Sequence, residues 1–317
     1  MSPEPSNGAF RAAVLAGLSA RPRAIPARWF YDRAGSELFE LITGLPEYYP
    51  TRAETAVLTG FGDELAALTG RGRAVVEFGS GSSIKTPPVL RAIQASAYVP
   101  IDISGAFLRE SADVIARAFP NLPVLPVEGD FTGPLRLPQA VADLPKLGFF
   151  PGSTIGNLTP PDAVDLLRGM RDTLGAGAQL LIGVDRIKRR ELLIAAYDDA
   201  DGVTAAFNLN LLVRINRELG GTLPIEDFTH QARWNDGAAR IEMHLVAARD
   251  LAFEVAGQAF AMDEGETIHT ENSHKYGPRD ARLLLRAGGW TPVHEWADPD
   301  GLFAVFLAEA RAAEQAP

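Results

Sequence analysis

The chain has 317 residues, a formal net charge of −10, 46% hydrophobic and 22% charged residues, and no cysteine. That length allows one large core or two modest ones, in an ordinary soluble globular composition. The acidic balance argues against a nucleic-acid substrate, and the missing cysteines exclude disulfides, thiolate metal sites and a cysteine nucleophile.

Near the N-terminus the apolar stretch AAVLAGL (residues 12–18) follows Arg11 and precedes Arg21 and Arg23. It is too short for a membrane span and, with Glu4 ahead of it, reads as an amphipathic helix, not a signal-peptide core. No membrane partner and a cytoplasmic location are the matching expectations. From about residue 52 to residue 185, strand and helix patterns alternate in the βαβ manner. Helices are predicted over 53–68, 87–94, 105–118, 161–173 and 191–208, and strands over 74–78, 97–101, 124–127, 147–150 and 179–184. The densest basic run, Lys188, Arg189 and Arg190, reads as a solvated helix start. IEMHLVA (241–247) alternates with the period of a strand. Near the end, WTPVHEWAD (290–298) and LFAVFLA (302–308) read as two strands joined by a turn at Asp298, Pro299, Asp300 and Gly301. Only small Ala/Pro-rich tails at the two ends have low complexity, and no internal repeat is present.

The most telling segment is VVEFGSGSSIKT (75–86), a short apolar strand running into Glu77 and then the turn of Gly79, Ser80 and Gly81. Glycines at such a turn let the backbone bend sharply and a ligand come close. A second acidic strand end follows at Asp102 and a third region at Glu128, Asp130 and Phe131. Three such strand ends on one edge of a parallel sheet describe a nucleoside-cofactor site. A dinucleotide fingerprint wants a third glycine where this chain has Ile84, and that glycine serves a pyrophosphate. S-adenosylmethionine has no phosphate and does not require it. Glu77 suits that cofactor's cationic end, Asp102 its ribose hydroxyls, and Asp130 with Phe131 its adenine. The plainer alternative is that these carboxylates cap helices or turns.

Five βα units closed by a strand pair predict an α/β, Rossmann-like class I methyltransferase fold, a seven-stranded sheet with an antiparallel C-terminal strand pair. A nicotinamide-binding Rossmann domain would instead end on a sixth parallel strand. Residues 52–187 and 277–317 are assigned to the S-adenosylmethionine-binding domain. Residues 1–51 and 188–276 are assigned to a second, substrate-binding domain at the sheet's carboxyl edge, where ligands of open α/β sheets bind.

Further segments go beyond a generic methyltransferase: WFYDRAGSELF (29–39), LPEYYPTRAE (45–54), PGSTIGNLTP (151–160), YDDA (197–200), GVTAAFN (202–208) and TENSHKY (270–276). From about Pro26 to Leu307 the chain resembles the histidine Nα-methyltransferase family of the ergothioneine pathway, which makes the betaine hercynine by three transfers from S-adenosylmethionine. The resemblance implies cofactor contacts at Tyr31, Gly79, Lys85, Asp102, Asp130 and Phe131. It implies that Tyr48 and Tyr197 hold the amino-acid carboxylate, Asn157 the α-amine, and Glu271 with Ser273 the imidazole, with Met243 lining the side-chain pocket. Asn157 and Tyr48 are the residues nearest the chemistry.

Physical arguments stand beside that inheritance. A methyl transfer needs a neutral amine aligned behind the methyl, and an asparagine oxygen can orient the amine without a charge that would keep it protonated. The plain alternative is an asparagine tying down a turn. Tyr48 and Tyr49 cannot both face one pocket in an extended segment, so one of them packs in a core. Glu271 and Ser273 point the same way in an extended segment and can bind the two nitrogens of an imidazole. Tyrosine rings also suit a quaternary ammonium product. The five histidines, His230, His244, His269, His274 and His294, show no metal-ligand spacing along the chain, and no metal is implied. No side chain stands out as a general base.

One departure from the family pattern is Asn272, where an aliphatic residue is expected. Related enzymes act on other aromatic amino acids, so the same chemistry on such a substrate or on a histidine derivative is the nearest rival reading. A non-catalytic S-adenosylmethionine-binding sensor is a rival of a different class. A monomer is the default for a chain of this size and polarity.

Overall fold

The predicted βα alternation forms in a computed structural model of the chain, in which residues 5–310 are described. The tips of both Ala/Pro-rich tails, and with them the outer ends of the two expected domains, lie outside those residues. By packing, the chain divides into two compact units, Met1–Tyr49 with Lys188–Ser273 and Pro50–Ile187 with His274–Pro317.

The second unit holds a seven-stranded sheet. Its order is Trp290–Ala297, Phe303–Ala310, Gln179–Asp185, Lys146–Phe150, Ala74–Phe78, Ala97–Asp102 and Val127–Glu128. The last five strands run parallel to one another, whereas Phe303–Ala310 is antiparallel to both Gln179–Asp185 and Trp290–Ala297. This is the predicted class I methyltransferase arrangement. The central strands are buried on both faces, which is why they read as continuous apolar runs without alternation. Val76, Val99, Phe150 and Ile182 pack on one side with Leu167, Met170 and Trp290. Val75, Tyr98, Leu147 and Leu181 pack on the other with Leu58, Leu65 and Leu90.

Three local expectations need correction. The helix expected over 53–68 is two, Tyr49–Gly60 and Gly62–Thr69, because Gly62 takes φ +49° and breaks the run. The helix expected over 191–208 is also two, Arg190–Ala195 and Val203–Leu219. The carboxylate of Asp199 accepts the amides of Val203 and Thr204 at 2.9 and 2.8 Å and starts the second one. The strand expected over 124–127 shrinks to Val127–Glu128, with a single bridge from Tyr98 to Val124.

In the first unit the strands Arg23–Ala24, Thr267–His274, Arg240–Ala247 and Phe228–Asn235 form a four-stranded sheet in that order. The N-terminal helix, Pro5–Ser19, turns Phe10, Val14 and Leu18 into the interior at four-residue spacing, as an amphipathic helix should. Helix Val203–Leu219 buries Phe207, Leu211 and Ile215. Lys188 is not the solvated residue expected, since its Nζ donates to Tyr49 Oη at 2.6 Å and lies 4.0 Å from the centre of that ring. Among the described residues no helix is long and apolar enough to cross a membrane.

Candidate active site

In the unit of the large sheet, the end of strand Ala74–Phe78 passes into the glycine turn. Gly79 and Gly81 hold φ of +72° and +49°, and a Cβ on Gly79 would come within 3.1 Å of the Phe131 ring. The amides of Gly79 and Ser80 both donate to the Ile101 carbonyl, at 2.9 and 3.0 Å, which folds the turn back over the next strand. Asp102 ends that strand. Its Oδ2 accepts from Gly81 N at 3.0 Å and its Oδ1 from Ser104 N at 2.9 Å, so one carboxylate ties two strand-end loops together. Asp130 holds its own turn through Thr132, and Phe131 packs edge-on against Phe150 at 5.6 Å.

Glu77 sits below the turn, fully buried. Its Oε2 accepts from Tyr98 Oη and from Thr86 Oγ1, and Tyr98 in turn meets Ser83 Oγ at 2.9 Å. Burial pushes the carboxyl pKa up to about 8 against the pull of those hydrogen bonds. At neutral pH Glu77 is therefore mostly a neutral acid, bracing the floor of the loop. Lys85, at the other side of the turn, donates to Glu54 Oε2 at 2.6 Å, and Glu54 also accepts the Gly152 amide at 2.9 Å. Asn157 ends the short helix Thr154–Asn157, half-buried. Its loop is pinned by His274, whose Nδ1 is 2.9 Å from the Gly156 carbonyl oxygen, and by Ser153 Oγ, which accepts from Asp185 N at 2.9 Å.

In the other unit lie Tyr31, Tyr48, Tyr197, Met243, Glu271 and Ser273. Tyr31, Phe39, Tyr48 and Tyr197 form a row of edge-on rings, with successive centroids 5.8, 6.3 and 6.1 Å apart. At its end the Tyr197 and Ser273 hydroxyls are 2.7 Å apart, joining residues 76 positions distant in the chain. Tyr48 and Tyr49 part as expected, Tyr48 to this row and Tyr49 to Lys188. Strand Thr267–His274 alternates half-buried and buried residues as far as Glu271, and the alternation breaks at Asn272. Met243 is fully buried on the neighbouring strand.

Sequence reasoning missed the network that holds this group. His230 Nε2 is 2.8 Å from the Tyr197 carbonyl and its Nδ1 is 2.8 Å from Asn208 Nδ2. The amide can only donate to Nδ1, so Nε2 carries the proton and gives it to Tyr197 O. Burial holds His230 below its ordinary pKa, in keeping with that neutral tautomer. Asn208 also donates to the His244 carbonyl at 3.2 Å, and its Oδ1 accepts from Thr270 Oγ1 at 2.8 Å. Tyr197 is thereby tied to the strand that carries Glu271 and Ser273. Glu54 was missed as well. Asn208 and Glu54 both fall inside the quoted motifs, which was the available signal; their partners lie far along the chain.

The profile of a family described as histidine-specific methyltransferase, SAM-dependent, matches residues 10–310. A histidine N-alpha-methyltransferase of Mycolicibacterium smegmatis is 41% identical over 95% of this chain and 94% of its own length. One of Mycobacterium tuberculosis is 39% identical over the same shares, 95% and 94%. An ergothioneine biosynthesis protein 1 of Neurospora crassa is 29% identical over 92% of this chain and 34% of its own length.

Proposed function

This chain belongs to the histidine-specific, S-adenosylmethionine-dependent methyltransferase family, and we propose that it methylates the α-amino group of L-histidine three times. The products are hercynine and S-adenosylhomocysteine, and the reaction is a step of ergothioneine biosynthesis. The proposal includes a cytoplasmic monomer acting on small molecules, with no metal ion in the transfer.

The residues at the glycine turn fit the cofactor. A Cβ on Gly81 would meet nothing within 4 Å, so the backbone is open to a ligand there. Ser80 Oγ is buried without a hydrogen-bond partner. Asp102 spends one lone pair of each oxygen on a backbone amide and keeps others for the ribose hydroxyls. Asp130 and Phe131 serve the adenine, Lys85 and Tyr31 make the remaining contacts, and Glu77 supports Gly79, Ser80 and Gly81 from beneath. When bound, S-adenosylmethionine supplies an electrophilic methyl on its sulfonium.

The rest is positioning. Asn157 accepts from the amine and aims its lone pair, adding no negative charge that would hold the amine protonated. Tyr48 and Tyr197 take the carboxylate, and their rings suit the cationic product. Glu271 and Ser273 take the imidazole, and Met243 fills the wall beside it. A pocket of buried polar groups rejects an apolar side chain because those groups would be left unpaired. Each of the first two rounds releases a proton, and after the third the nitrogen has no lone pair, so the sequence of transfers ends.

The observation that carries this reading, beside family membership, is the Tyr197–Ser273 hydroxyl pair with Tyr48 next to it. Calorimetric titration of L-histidine into the protein with S-adenosylhomocysteine tests it, with L-leucine as the comparison. Histidine should bind and leucine should not, and Glu271→Gln or Asn157→Ala should weaken histidine binding by about tenfold or more, about 1.4 kcal/mol. Equal binding by both variants would remove those residues from the pocket.

A further inference from the structure

Three ligand-type side chains that the proposed reaction does not use converge in the unit formed by Met1–Tyr49 and Lys188–Ser273. Glu242 and His244 are two apart on strand Arg240–Ala247 and leave its same face. The residues alternating with them, Ile241, Met243 and Leu245, are buried. His269, on the adjacent strand, brings its ring centre to 5.0 Å from that of His244, with 22° between the planes. One donor atom from each of the three lies within 4.8 Å of the others.

We propose that Glu242, His244 and His269 form a binding site for zinc(II) or another borderline divalent cation, separate from the methyl-transfer chemistry. Two imidazoles and one carboxylate are a donor set that such ions favour. A tetrahedral ion with bonds of about 2.0–2.1 Å keeps its donors about 3.3 Å apart. His244 Nε2 and Glu242 Oε2 already stand 3.2 Å apart.

The surroundings orient each ligand from behind. Glu242 Oε1 is occupied by Asn235 at 2.8 Å and by Arg240 at 2.8 and 2.6 Å, which leaves Oε2 facing His244. His244 Nδ1 lies 3.3 Å from Thr267 Oγ1. His269 Nε2 lies 2.9 Å from the Glu271 carbonyl oxygen, to which it donates, so Nδ1 is the nitrogen with the free lone pair. Partners of this kind fix tautomer and ring orientation in metal sites. Asn272, between Glu271 and Ser273 on the same strand, has its Oδ1 buried without a hydrogen-bond partner.

Charge is favourable on balance. Binding at His244 Nε2 uses that nitrogen's lone pair, with the ring proton moved to Nδ1, which faces Thr267 Oγ1. Glu242 brings a carboxylate whose other oxygen is held by Asn235 and Arg240. Arg240 on the same carboxylate limits the affinity to a moderate range. The cluster escapes a reading of spacing along the chain because its third ligand comes from another strand.

The test uses the full chain, stripped with a chelator and kept free of histidine, which would itself bind the ion. Zinc(II) is titrated by calorimetry and cobalt(II) by visible absorption. A single equivalent should bind more tightly than about 100 μM, and cobalt(II) should show the strong visible bands of low coordination number. His269→Gln and Glu242→Gln, near the native side chains in size, should each weaken binding by about tenfold or more. Their circular dichroism should match the wild type, which separates loss of a ligand from loss of fold. His294→Ala, on a strand of the other unit, should bind as the wild type does. Absence of binding to the wild type, or equal binding to both ligand variants, would overturn the proposal.

Discussion

Replacing Glu77 with glutamine should stabilise the protein, and the gain should grow as pH rises. In the folded chain, burial moves the Glu77 carboxyl from the ordinary 4.5 to about 8, in spite of the hydrogen bonds from Tyr98 and Thr86. Between those two values the unfolded chain is ionised at this position while the folded chain keeps the proton. Folding there takes up a proton, so stability is full below the lower value and falls by about 1.4 kcal/mol per pH unit until the upper one. Across the window the loss approaches about 4–5 kcal/mol. A glutamine oxygen can accept the same two hydrogen bonds and has nothing to ionise. Urea unfolding of wild type and Glu77→Gln from about pH 5 to about pH 9 reads the effect directly. The two should agree within about 1 kcal/mol at the acid end, separate toward pH 8, and run parallel beyond it. A difference that does not vary with pH, or a glutamine variant weaker at pH 8, would mean that Glu77 is ionised in the folded protein and would refute the reasoning.

Three further outcomes are expected. Asn208→Leu leaves His230 Nδ1 and the His244 carbonyl short of a buried partner, and should lower unfolding stability by about 3 kcal/mol, with a rise in KM for the amino acid larger than the fall in kcat. Gly156→Ala puts a Cβ 2.8 Å from the His274 carbonyl oxygen and 3.1 Å from its nitrogen, so the Asn157 loop must shift. It should cost about 1–3 kcal/mol in stability and lower kcat, while S-adenosylhomocysteine binding measured by thermal shift stays close to wild type. Tyr197→Phe removes one side of the 2.7 Å contact to Ser273 and should raise KM for histidine by about tenfold in steady-state assays.

Much of the fold was legible because the strands of the large sheet are buried on both faces and therefore stand out as apolar runs. Trp290–Ala297 and Phe303–Ala310 were legible for another reason, the tight turn between them, and their antiparallel pairing is what separates this sheet from a nicotinamide-binding one. The helix breaks were not legible. Gly62 tolerates a helix in many contexts, and only its positive φ interrupts the run here. Asp199 likewise acts as a cap only once the amides of Val203 and Thr204 turn toward it.

The candidate site divides in the same way. Motif residues on strand ends could be picked out because side-chain direction follows from strand geometry. What holds them could not be picked out, since Asn208 meets His230 and Thr270, and Glu54 meets Lys85 and Gly152, across long stretches of chain. Glu77 was visible as an acidic residue before a glycine turn, but its protonation depends on burial that a short motif does not report.

The most direct test is mass spectrometry of the purified protein incubated with S-adenosylmethionine and an equimolar mixture of the amino acids. Three methyl groups on the α-nitrogen of histidine, with no other amino acid altered, is the predicted result. Three methyls on a different amino acid would overturn the roles given to Glu271 and Ser273 and turn attention to Asn272. Cofactor binding without methylation of any free amino acid would contradict the account and leave a binding protein in its place.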